Sequence, residues 1–532
     1  MHITKVKIWN YRTLRRCDIE LTEGVNILVG DNETGKSTLL EAIALALTGS
    51  LNGRPISLEL HPFLFPLETI REYVDSFRSG QPIDLPEIAI EVFFNNIPEL
   101  AELRGDGNSE KADVPGVRFS IEFNEAYKDA YANYVANPSE IRSIPIEFYH
   151  PVFNSFARKP ITPRNIPITP VIVDASRITT ITGANRYVTG LIREALPPQE
   201  QVQLSVAYRK LQDEFLRDPN IAQINRELAS RGSAISDKTL SMSLDPTARG
   251  GWEAGIMPHL DDVPIVLVGK GEQNAVKIKL ALERSSEAHI FLIEEPENHL
   301  SYSRLHSLID AMERKAGSRQ MIITTHSSFV LNKLGINRVL LFKDGQSIRL
   351  SNLSESTYEY FKKLPGYDTL RLLLSRRSIL VEGPSDELIV QKAFIVKHGV
   401  SPLSKGVDII SVKSLAFKRF LEIADLLGLR VAVVTDNDGD VKALRKKYEE
   451  FWDKENISIH YDEDESCPTL EPQLVKANGL DVLNRVLGTS FDNESKLIKY
   501  MTDSSNKTEV ALRIFESNED IKFPDYINEA VK

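Results

Sequence analysis

The sequence predicts an α/β fold made of two successive α/β units, and two observations lead to this prediction. Near the start of the 532-residue chain, a buried apolar strand at residues 25–29 runs into a glycine-containing loop and then into an apolar helix at residues 37–47. From residue 378 onward, apolar strands alternate with helices, the strands falling at 378–381, 408–412 and 431–435. Alternating strands and helices are typical of parallel sheets covered by helices.

The elements of the first unit follow in order. A strand at residues 3–9 alternates apolar and polar side chains, as a half-buried strand does. Residues 185–240 read as helical without the sustained heptads of a long coiled coil, which predicts a short helical protrusion. The remaining expected elements are strands at 87–94, 117–123, 146–149, 171–174, 263–268, 290–293, 321–324 and 338–342, an extended stretch at 160–170, and a helical connector at 357–376.

Composition excludes several classes of protein. The chain has 64 Lys+Arg against 75 Asp+Glu, a net charge of −11, and 42% hydrophobic residues, which is ordinary for a globular protein and argues against a histone-like nucleic-acid binder. Its two cysteines, Cys17 and Cys467, are too far apart for a CxxC motif. The start of the chain lacks an apolar signal, and no apolar run of about 18 residues occurs. We therefore expect a cytoplasmic protein with no membrane partner.

A phosphate-binding loop is predicted at residues 30–37, which read GDNETGKS and lie between a strand and a helix. The backbone N–H groups of a GxxxxGKS loop cradle phosphates, the lysine (Lys36) reaches the β- and γ-phosphates, and the serine (Ser37) ligates Mg²⁺. The further nucleotide contacts expected here are Gly30, Asn32, Gly35 and Thr38.

Adjacent carboxylates follow the apolar strand at 290–293. Glu294 is placed to hold the magnesium shell, and Glu295 is placed to polarise a water as general base. His326 ends another apolar strand, from which a histidine can reach the γ-phosphate. These residues supply what nucleotide hydrolysis needs.

Together the loop, the carboxylates and the histidine resemble the ATP-binding-cassette (ABC) ATPases of the SMC/Rad50 type, over about residues 1–350. The resemblance places the family's signature loop at Gly269, Gly271 and Gln273, although the usual leading Leu-Ser is absent and a tight turn before a helix is the alternative. It also implies ATP held between the phosphate loop of one head and the signature loop of another. A homodimer follows, or a tetramer if the helical protrusion is a second self-association surface.

A second acidic site is predicted in the later unit. Glu382 follows a strand, Asp386 lies in the first turn of the next helix, and Asp436 and Asp438 follow another strand. On an extended segment, residues i and i+2 point the same way, so Asp436 and Asp438 are expected to converge. Four carboxylates at the ends of parallel strands repel one another unless cations intervene, and their oxygens suit Mg²⁺ or Mn²⁺.

This arrangement resembles the Toprim domain, over about residues 375–480. Glu471 is then a further metal ligand, with a surface carboxylate as the alternative. An ABC-type ATPase followed by Toprim resembles the OLD (overcoming lysogenisation defect) family of ATP-dependent nucleases, which includes the nuclease–ATPase subunit of the Gabija antiphage system. That resemblance implies a catalytic lysine in the C-terminal helices, for which Lys507 is the candidate, with a solvated lysine as the alternative.

The resulting expectation is an ATP-regulated, metal-dependent endonuclease acting on double-stranded DNA in antiphage defence, with a helicase as partner subunit. Glu382 serves as metal ligand or general base, and the sequence leaves both roles open. A Toprim topoisomerase is disfavoured because no separate DNA-gate region is visible. Two functions compete with the endonuclease. One is an SMC/Rad50-like repair ATPase with an inactive Toprim domain, and the other is an RNA-cleaving effector.

The expected domain organisation has six segments. They are an ATPase head in two parts (1–180 and 251–350), a helical insertion (181–250), a helical connector (351–375), a Rossmann-like Toprim domain (376–480) and C-terminal helices that complete the nuclease site (481–532).

Overall fold

The computed structural model divides into two compact units. The first comprises Met1–Asn26 and Gly35–Thr325, and the second comprises Ile27–Thr34 and His326–Lys532. The structure describes residues 1–51, 53–174, 189, 192–193, 196–232, 241–244, 252, 256–283, 288–316, 319–343, 345–350, 353–412 and 416–532. The six-segment organisation remains a prediction.

The first unit contains a series of antiparallel strands. Ile3–Tyr11 lies between Leu14–Glu20 and Ile88–Phe94, and Val114–Phe123 and Tyr149–Ser155 continue the series. The first strand alternates buried and partly buried residues, as its alternating sequence predicts. Every residue of Ile88–Phe94 is buried, because both faces of that strand are covered.

Parallel strands form the other part of the first unit. Ile290–Glu294 lies between Pro170–Asp174 and Gln320–Thr324. Ile290–Glu294 and Gln320–Thr324 have apolar centres and are almost entirely buried, as is usual for parallel strands covered on both faces. The helices of this unit are Lys36–Thr48, Leu67–Arg78, Lys128–Val135, Pro198–Arg217, Pro219–Gly232, Lys270–Glu283 and Tyr302–Ala316.

The predicted helical insertion contains two described helices, Pro198–Arg217 and Pro219–Gly232. No residue of the first of these helices is buried, and its apolar side chains Val202 and Leu211 are exposed. The rest of the predicted range 185–240 falls partly outside the described residues.

Two strand predictions are wrong, and the predicted helical connector is confirmed but interrupted. The strand expected at 263–268 is a two-residue bridge, Val263–Pro264, followed by a 3₁₀ turn, because proline has no N–H to continue a ladder. The strand expected at 146–149 begins only at Tyr149, after another 3₁₀ turn. The connector consists of two helices, Glu355–Lys363 and Thr369–Leu374, with Pro365 and Gly366 between them.

The second unit carries a four-stranded parallel sheet. Its strand order is Val407–Ser411, Arg377–Val381, Arg430–Val434 and Ile457–His460. The sequence does not predict the last strand, because a four-residue strand flanked by polar loops gives little periodic signal. Two further strands, Val339–Lys343 and Gln346–Arg349, form an antiparallel hairpin, and the first pairs in parallel with residues 27–29.

The C-terminal helices share one hydrophobic core with this sheet. Side chains such as Leu474, Leu497 and Ile514 pack with Ile379 and Val434 of the strands. The helices of this unit are Ser328–Leu334, Glu355–Lys363, Thr369–Leu374, Pro384–His398, Phe417–Leu427, Val441–Lys447, Leu470–Asn478, Leu480–Leu487, Glu494–Thr502, Lys507–Glu516 and Asp525–Ala530. None of the helices in the described ranges is both long and apolar enough to cross a membrane.

Candidate functional site

The predicted phosphate loop connects the strand Val25–Val29 to the helix Lys36–Thr48. A Cβ atom at Gly30 would collide with the carbonyl oxygen of Phe342, so only glycine fits there. Gly35 caps the helix with a φ of 96°, a left-handed conformation that glycine adopts without strain. The loop therefore presents the N-terminus of a long buried helix, which is a favourable site for a phosphate.

The side chains at the end of this loop differ in exposure. Lys36 is buried, whereas Asn32 and Ser37 are exposed. The hydroxyl of Thr38 lies 3.1 Å from that of Thr13 on the neighbouring hairpin. The loop thus ends in a buried lysine followed by an exposed serine, and the roles of Lys36 and Ser37 remain predictions.

The two adjacent carboxylates at the end of the strand Ile290–Glu294 have different surroundings. Glu294 is the last residue of the strand, opposite Thr324 of its neighbour. The chain turns at Glu295, whose φ is 43° and whose N–H donates to the Thr324 carbonyl at 3.0 Å. The side-chain amide of Asn298 donates to Glu295 Oε2 at 2.6 Å. Asn298 therefore orients the predicted general base, a contact that the sequence did not reveal.

The segment predicted as a signature loop lies partly in a helix, because Lys270–Glu283 begins directly after Gly269. A Cβ atom at Gly271 would collide with the His299 carbonyl oxygen, whereas Gly269 has no neighbour within 4 Å of such an atom. The Gln273 amide donates to the Val268 carbonyl at 2.8 Å. Packing alone thus explains the glycine at 271 but not the one at 269.

His326 is half-buried and precedes Ser327, whose hydroxyl accepts a hydrogen bond from the Val330 N–H at 3.4 Å and caps the helix Ser328–Leu334. It belongs to the second unit, whereas Glu294 and Glu295 belong to the first. Its predicted contact with a γ-phosphate remains a prediction.

In the second unit, Glu382 follows the strand Arg377–Val381 and is held by the end of the neighbouring strand. The Thr435 hydroxyl donates to Glu382 Oε1 at 2.6 Å, and the Asp436 N–H donates to the same oxygen at 3.2 Å. Asp386 lies in the first turn of Pro384–His398, where its Oδ2 accepts the Gly383 N–H at 3.0 Å. The parallel strands therefore bring these carboxylates to one edge of the sheet.

Burial and mutual repulsion raise the pKa values of two carboxyl groups. The pKa of Asp386 rises to about 6, first because of burial and then because of the charges of Glu382 and Glu471. The pKa of Asp436 rises to about 8, again first because of burial and then because of Asp386, Glu382 and Glu471. Charged carboxylates this close need positive charge nearby.

Lys507 supplies one positive charge to this cluster. Its Nζ lies 2.9 Å from Oε1 of the buried Glu471, and the Thr469 hydroxyl donates to the other oxygen of Glu471 at 2.9 Å. Burial opposes the charge on Lys507, but the Glu471 hydrogen bond and the charges of Asp436 and Asp386 outweigh it and raise the Lys507 pKa. We define Glu382, Asp386, Asp436, Glu471 and Lys507 as the acidic cluster.

Asp438 has a different environment from that expected. The chain turns at this residue, whose φ is 50° and whose N–H donates to the Pro468 carbonyl at 3.1 Å. The side chain is exposed, and the inference that Asp436 and Asp438 converge on an extended segment is therefore wrong. Asn437, between them, is buried and donates to the Asp462 and Asp464 carbonyls. Asp438 remains a proposed ligand without that geometric support.

The acidic cluster fits a divalent cation in its chemistry. Its donors are hard carboxylate oxygens, and burial together with mutual repulsion raises the pKa values of Asp386 and Asp436. Among the described residues, however, no three acidic, histidine or cysteine side chains are already arranged around a common metal position. Binding of a cation at this site would therefore require the side chains to adjust.

Two family models match the chain. Residues 25–332, more than half of it, match the family described as AAA domain, putative AbiEii toxin, Type IV TA system. Residues 373–438 match the TOPRIM domain of the overcoming lysogenization defect protein-like family. The predicted α/β class, an ATPase head followed by a Toprim domain, is confirmed. Such domains imply the use of ATP and of a divalent metal in general.

Curated relatives match over short stretches. The chain is 35% identical over 75 residues (14% of it) to the DNA replication and repair protein RecF of Bifidobacterium adolescentis, covering 19% of that protein. It is 56% identical over 45 residues (8% of it) to the DNA double-strand break repair Rad50 ATPase of Methanopyrus kandleri, covering 5% of that protein. The matches thus span at most a fifth of these two relatives.

Among solved structures, an Smc head domain with an extended coiled coil, bound to the C-terminal domain of ScpA and derived from Pyrococcus furiosus, is 14% identical. It covers 68% of this chain and 99% of its own, with a TM-score of 0.35. By its family matches, the chain belongs to the family described as AAA domain, putative AbiEii toxin, Type IV TA system, and its ATPase domain is followed by an OLD-like TOPRIM domain.

Proposed function

We propose that this protein is an ATP-regulated, metal-dependent endonuclease that hydrolyses phosphodiester bonds in double-stranded DNA. The observation that carries the proposal is the acidic cluster, in which half-buried carboxylates at two strand ends and the buried Glu471 meet a lysine from the C-terminal helices. A purely structural ion pair would need one carboxylate for Lys507, whereas this cluster gathers four. The OLD-like TOPRIM match supports the same activity.

In this mechanism, Glu382, Asp386, Asp436 and Glu471 would hold Mg²⁺ or Mn²⁺, with Asp438 as a further ligand. When bound, divalent cations supply positive charge that stabilises the attacking and leaving oxygens of an in-line displacement. Glu382 is oriented for its role as ligand or general base by the Thr435 hydroxyl and the Asp436 N–H.

Lys507 would act on the scissile phosphate. Its raised pKa keeps the ammonium protonated at neutral pH, so it can stabilise negative charge on the phosphate or protonate the leaving 3′ oxygen. Glu471 holds the ammonium in place at 2.9 Å. A substrate phosphate would compete with Glu471 for this cation.

The ATPase site would use the phosphate loop and the two adjacent carboxylates, Glu294 and Glu295, at the end of the strand Ile290–Glu294. Glu294 would complete the magnesium shell with Ser37, and Glu295 would activate water while Asn298 orients it. His326 would contact the γ-phosphate. The remaining contacts with the nucleotide would come from Gly30, Asn32, Gly35, Lys36 and Thr38.

A homodimer or tetramer is part of the proposal. The signature segment with Gly269, Gly271 and Gln273 would complete the nucleotide site of a second copy. Light scattering with and without ATP tests this, and a monomer under both conditions would count against it. A role in antiphage defence and a helicase partner, as in Gabija, extend the proposal and rest on the OLD-like TOPRIM match.

The second candidate is a DNA-repair ATPase whose Toprim domain is inactive or directed at RNA. The short matches to RecF and to the Rad50 ATPase favour this candidate over a Toprim topoisomerase. One observation distinguishes the two candidates, because only the nuclease hypothesis predicts that the purified protein cleaves DNA.

The test uses the full-length protein with supercoiled plasmid, linear duplex DNA and total RNA, each with Mg²⁺, Mn²⁺ or EDTA, and each with or without ATP. Metal-dependent DNA cleavage supports the nuclease. Cleavage of RNA alone, or ATP hydrolysis without any cleavage, supports the second candidate.

A further inference from the structure

Tyr448 is a buried residue next to the acidic cluster for which the proposed reaction gives no role. It follows the helix Val441–Lys447, and its side chain has an exposure of 0%. Among the described residues, its hydroxyl has no partner that meets the geometry of a hydrogen bond. A buried hydroxyl without a partner costs stability, and such groups in proteins mark strain, catalysis or an unseen ligand.

The surroundings of this hydroxyl favour the functional explanation. Burial and then the charge of Glu382 raise the pKa of Tyr448, with a smaller contribution from Asp438, whereas Thr435 lowers it as a hydrogen-bonding neighbour. Thr435 is itself buried, and its hydroxyl already donates to Glu382 Oε1 at 2.6 Å. A hydroxyl that donates its hydrogen still accepts through its lone pairs. The Thr435 hydroxyl oxygen can therefore accept a hydrogen bond from a second donor through its lone pairs.

We propose that Tyr448 is a positioning residue, whose hydroxyl donates to Thr435 Oγ1 when a divalent cation is bound and thereby fixes the Glu382 carboxylate. The inference rests on the proposed function, since it assigns Glu382 to cation binding. Hydrogen-bonded partners behind a metal ligand typically change metal affinity or activity by about 10- to 100-fold. Chains of hydrogen bonds in a buried site also strengthen one another.

The test measures Mn²⁺ binding to the full-length protein by calorimetry, together with its melting temperature. Tyr448→Phe removes only the hydroxyl, and we expect about tenfold weaker Mn²⁺ binding with no loss of melting temperature. Thr435→Val should weaken binding similarly, while Thr435→Ser keeps the hydroxyl and should retain it. Because Tyr448 acts through Thr435, Tyr448→Phe combined with Thr435→Val should be no worse than the weaker-binding single variant.

Tyr73→Phe is the matched control, because Tyr73 is equally buried but its hydroxyl is paired with that of Tyr131 at 2.9 Å. This control should lower the melting temperature and leave Mn²⁺ binding unchanged. Wild-type Mn²⁺ affinity in Tyr448→Phe would overturn the inference while leaving the nuclease intact, and additive losses in the double variant would overturn the route through Thr435. If the wild-type protein binds no Mn²⁺, the proposed function fails as well.

Discussion

Lys507 Nζ lies 2.9 Å from Glu471 Oε1, although the two residues come from different C-terminal helices. Glu471 is buried, whereas Lys507 is partly exposed. The ammonium group therefore offsets the free-energy cost of burying the charged Glu471 carboxylate. The pair connects the C-terminal helices to the carboxylates of the parallel sheet. Each feature of the acidic cluster then leads to a separate expectation.

The first prediction concerns Lys507. Lys507→Ala should lower DNA cleavage by about 100-fold or more, because the phosphate loses its nearest cation. Folding stability should fall by about 1–2 kcal/mol, since buried Glu471 loses a charged partner that is itself partly exposed. Lys499→Ala, at an exposed lysine of the preceding helix, is the control and should change neither quantity. Cleavage assays and chemical unfolding measure both.

The second prediction concerns Lys36. Lys36→Ala should abolish ATP hydrolysis, because the β- and γ-phosphates lose their cation. The measurement is phosphate release by the purified full-length variant. Turnover at the wild-type rate would remove residues 30–37 from the ATPase site.

The third prediction separates Glu295 from the residue that orients it. Glu295→Gln should bind ATP but block its turnover, because the general base is lost. Asn298→Ala removes the amide that donates to Glu295 Oε2 at 2.6 Å, and about tenfold slower turnover with unchanged ATP affinity is expected. Normal hydrolysis by Glu295→Gln would refute its assignment as the base.

The fourth prediction compares two glycines of the signature segment. Gly271→Ala should lower the melting temperature, because its Cβ would displace the His299 carbonyl. Gly269→Ala should fold normally, since nothing lies within 4 Å of the added atom. If Gly269 contacts nucleotide in a second copy, this variant should nevertheless hydrolyse ATP more slowly. Wild-type hydrolysis by Gly269→Ala would leave the signature assignment without support.

The fifth prediction concerns coupling between nucleotide and nuclease. Within the second unit, Thr369 of the connector donates to buried Asn332 at 2.7 Å, and Arg371 binds Asp408 of the sheet through both carboxylate oxygens. These contacts tie the helix after His326 to the Toprim sheet. ATP occupancy should therefore change the rate of DNA cleavage.

Arg371→Lys tests this route, because lysine cannot make the paired contact. The ATP dependence of cleavage should weaken while ATP hydrolysis itself persists. Exposed Arg376→Lys is the control and should behave as wild type. Wild-type protein that cleaves equally at all ATP concentrations would refute the coupling.

The sequence predicted part of the site because strand ends are local features. Glu382 and Asp386 follow one apolar run and Asp436 follows another, and parallel strands bring such positions to one edge of a sheet. Lys507 was found only through a resemblance, because its contact with Glu471 depends on how the C-terminal helices pack. Asp438 was misjudged because the chain turns at this residue, which a pattern of apolar strands does not reveal.

Within the fold, long apolar strands were predicted well and short ones were not. Val25–Val29 has the predicted bounds, since five buried residues before a glycine loop leave little ambiguity. The edge strand Ile457–His460 was missed because it is only four residues long. Tyr448 and Asn298 gave no sequence signal, since their importance comes from contacts made after folding.

The most direct test of the account is a separation-of-function measurement on wild type, Asp436→Asn and Asp453→Asn. Asp453 is an exposed aspartate outside the acidic cluster, which makes it a matched control. Plasmid cleavage and ATP hydrolysis are followed in the same reactions with Mn²⁺. The account predicts that Asp436→Asn loses cleavage and keeps ATP hydrolysis, while Asp453→Asn keeps both. Undiminished metal-dependent cleavage by Asp436→Asn would contradict it.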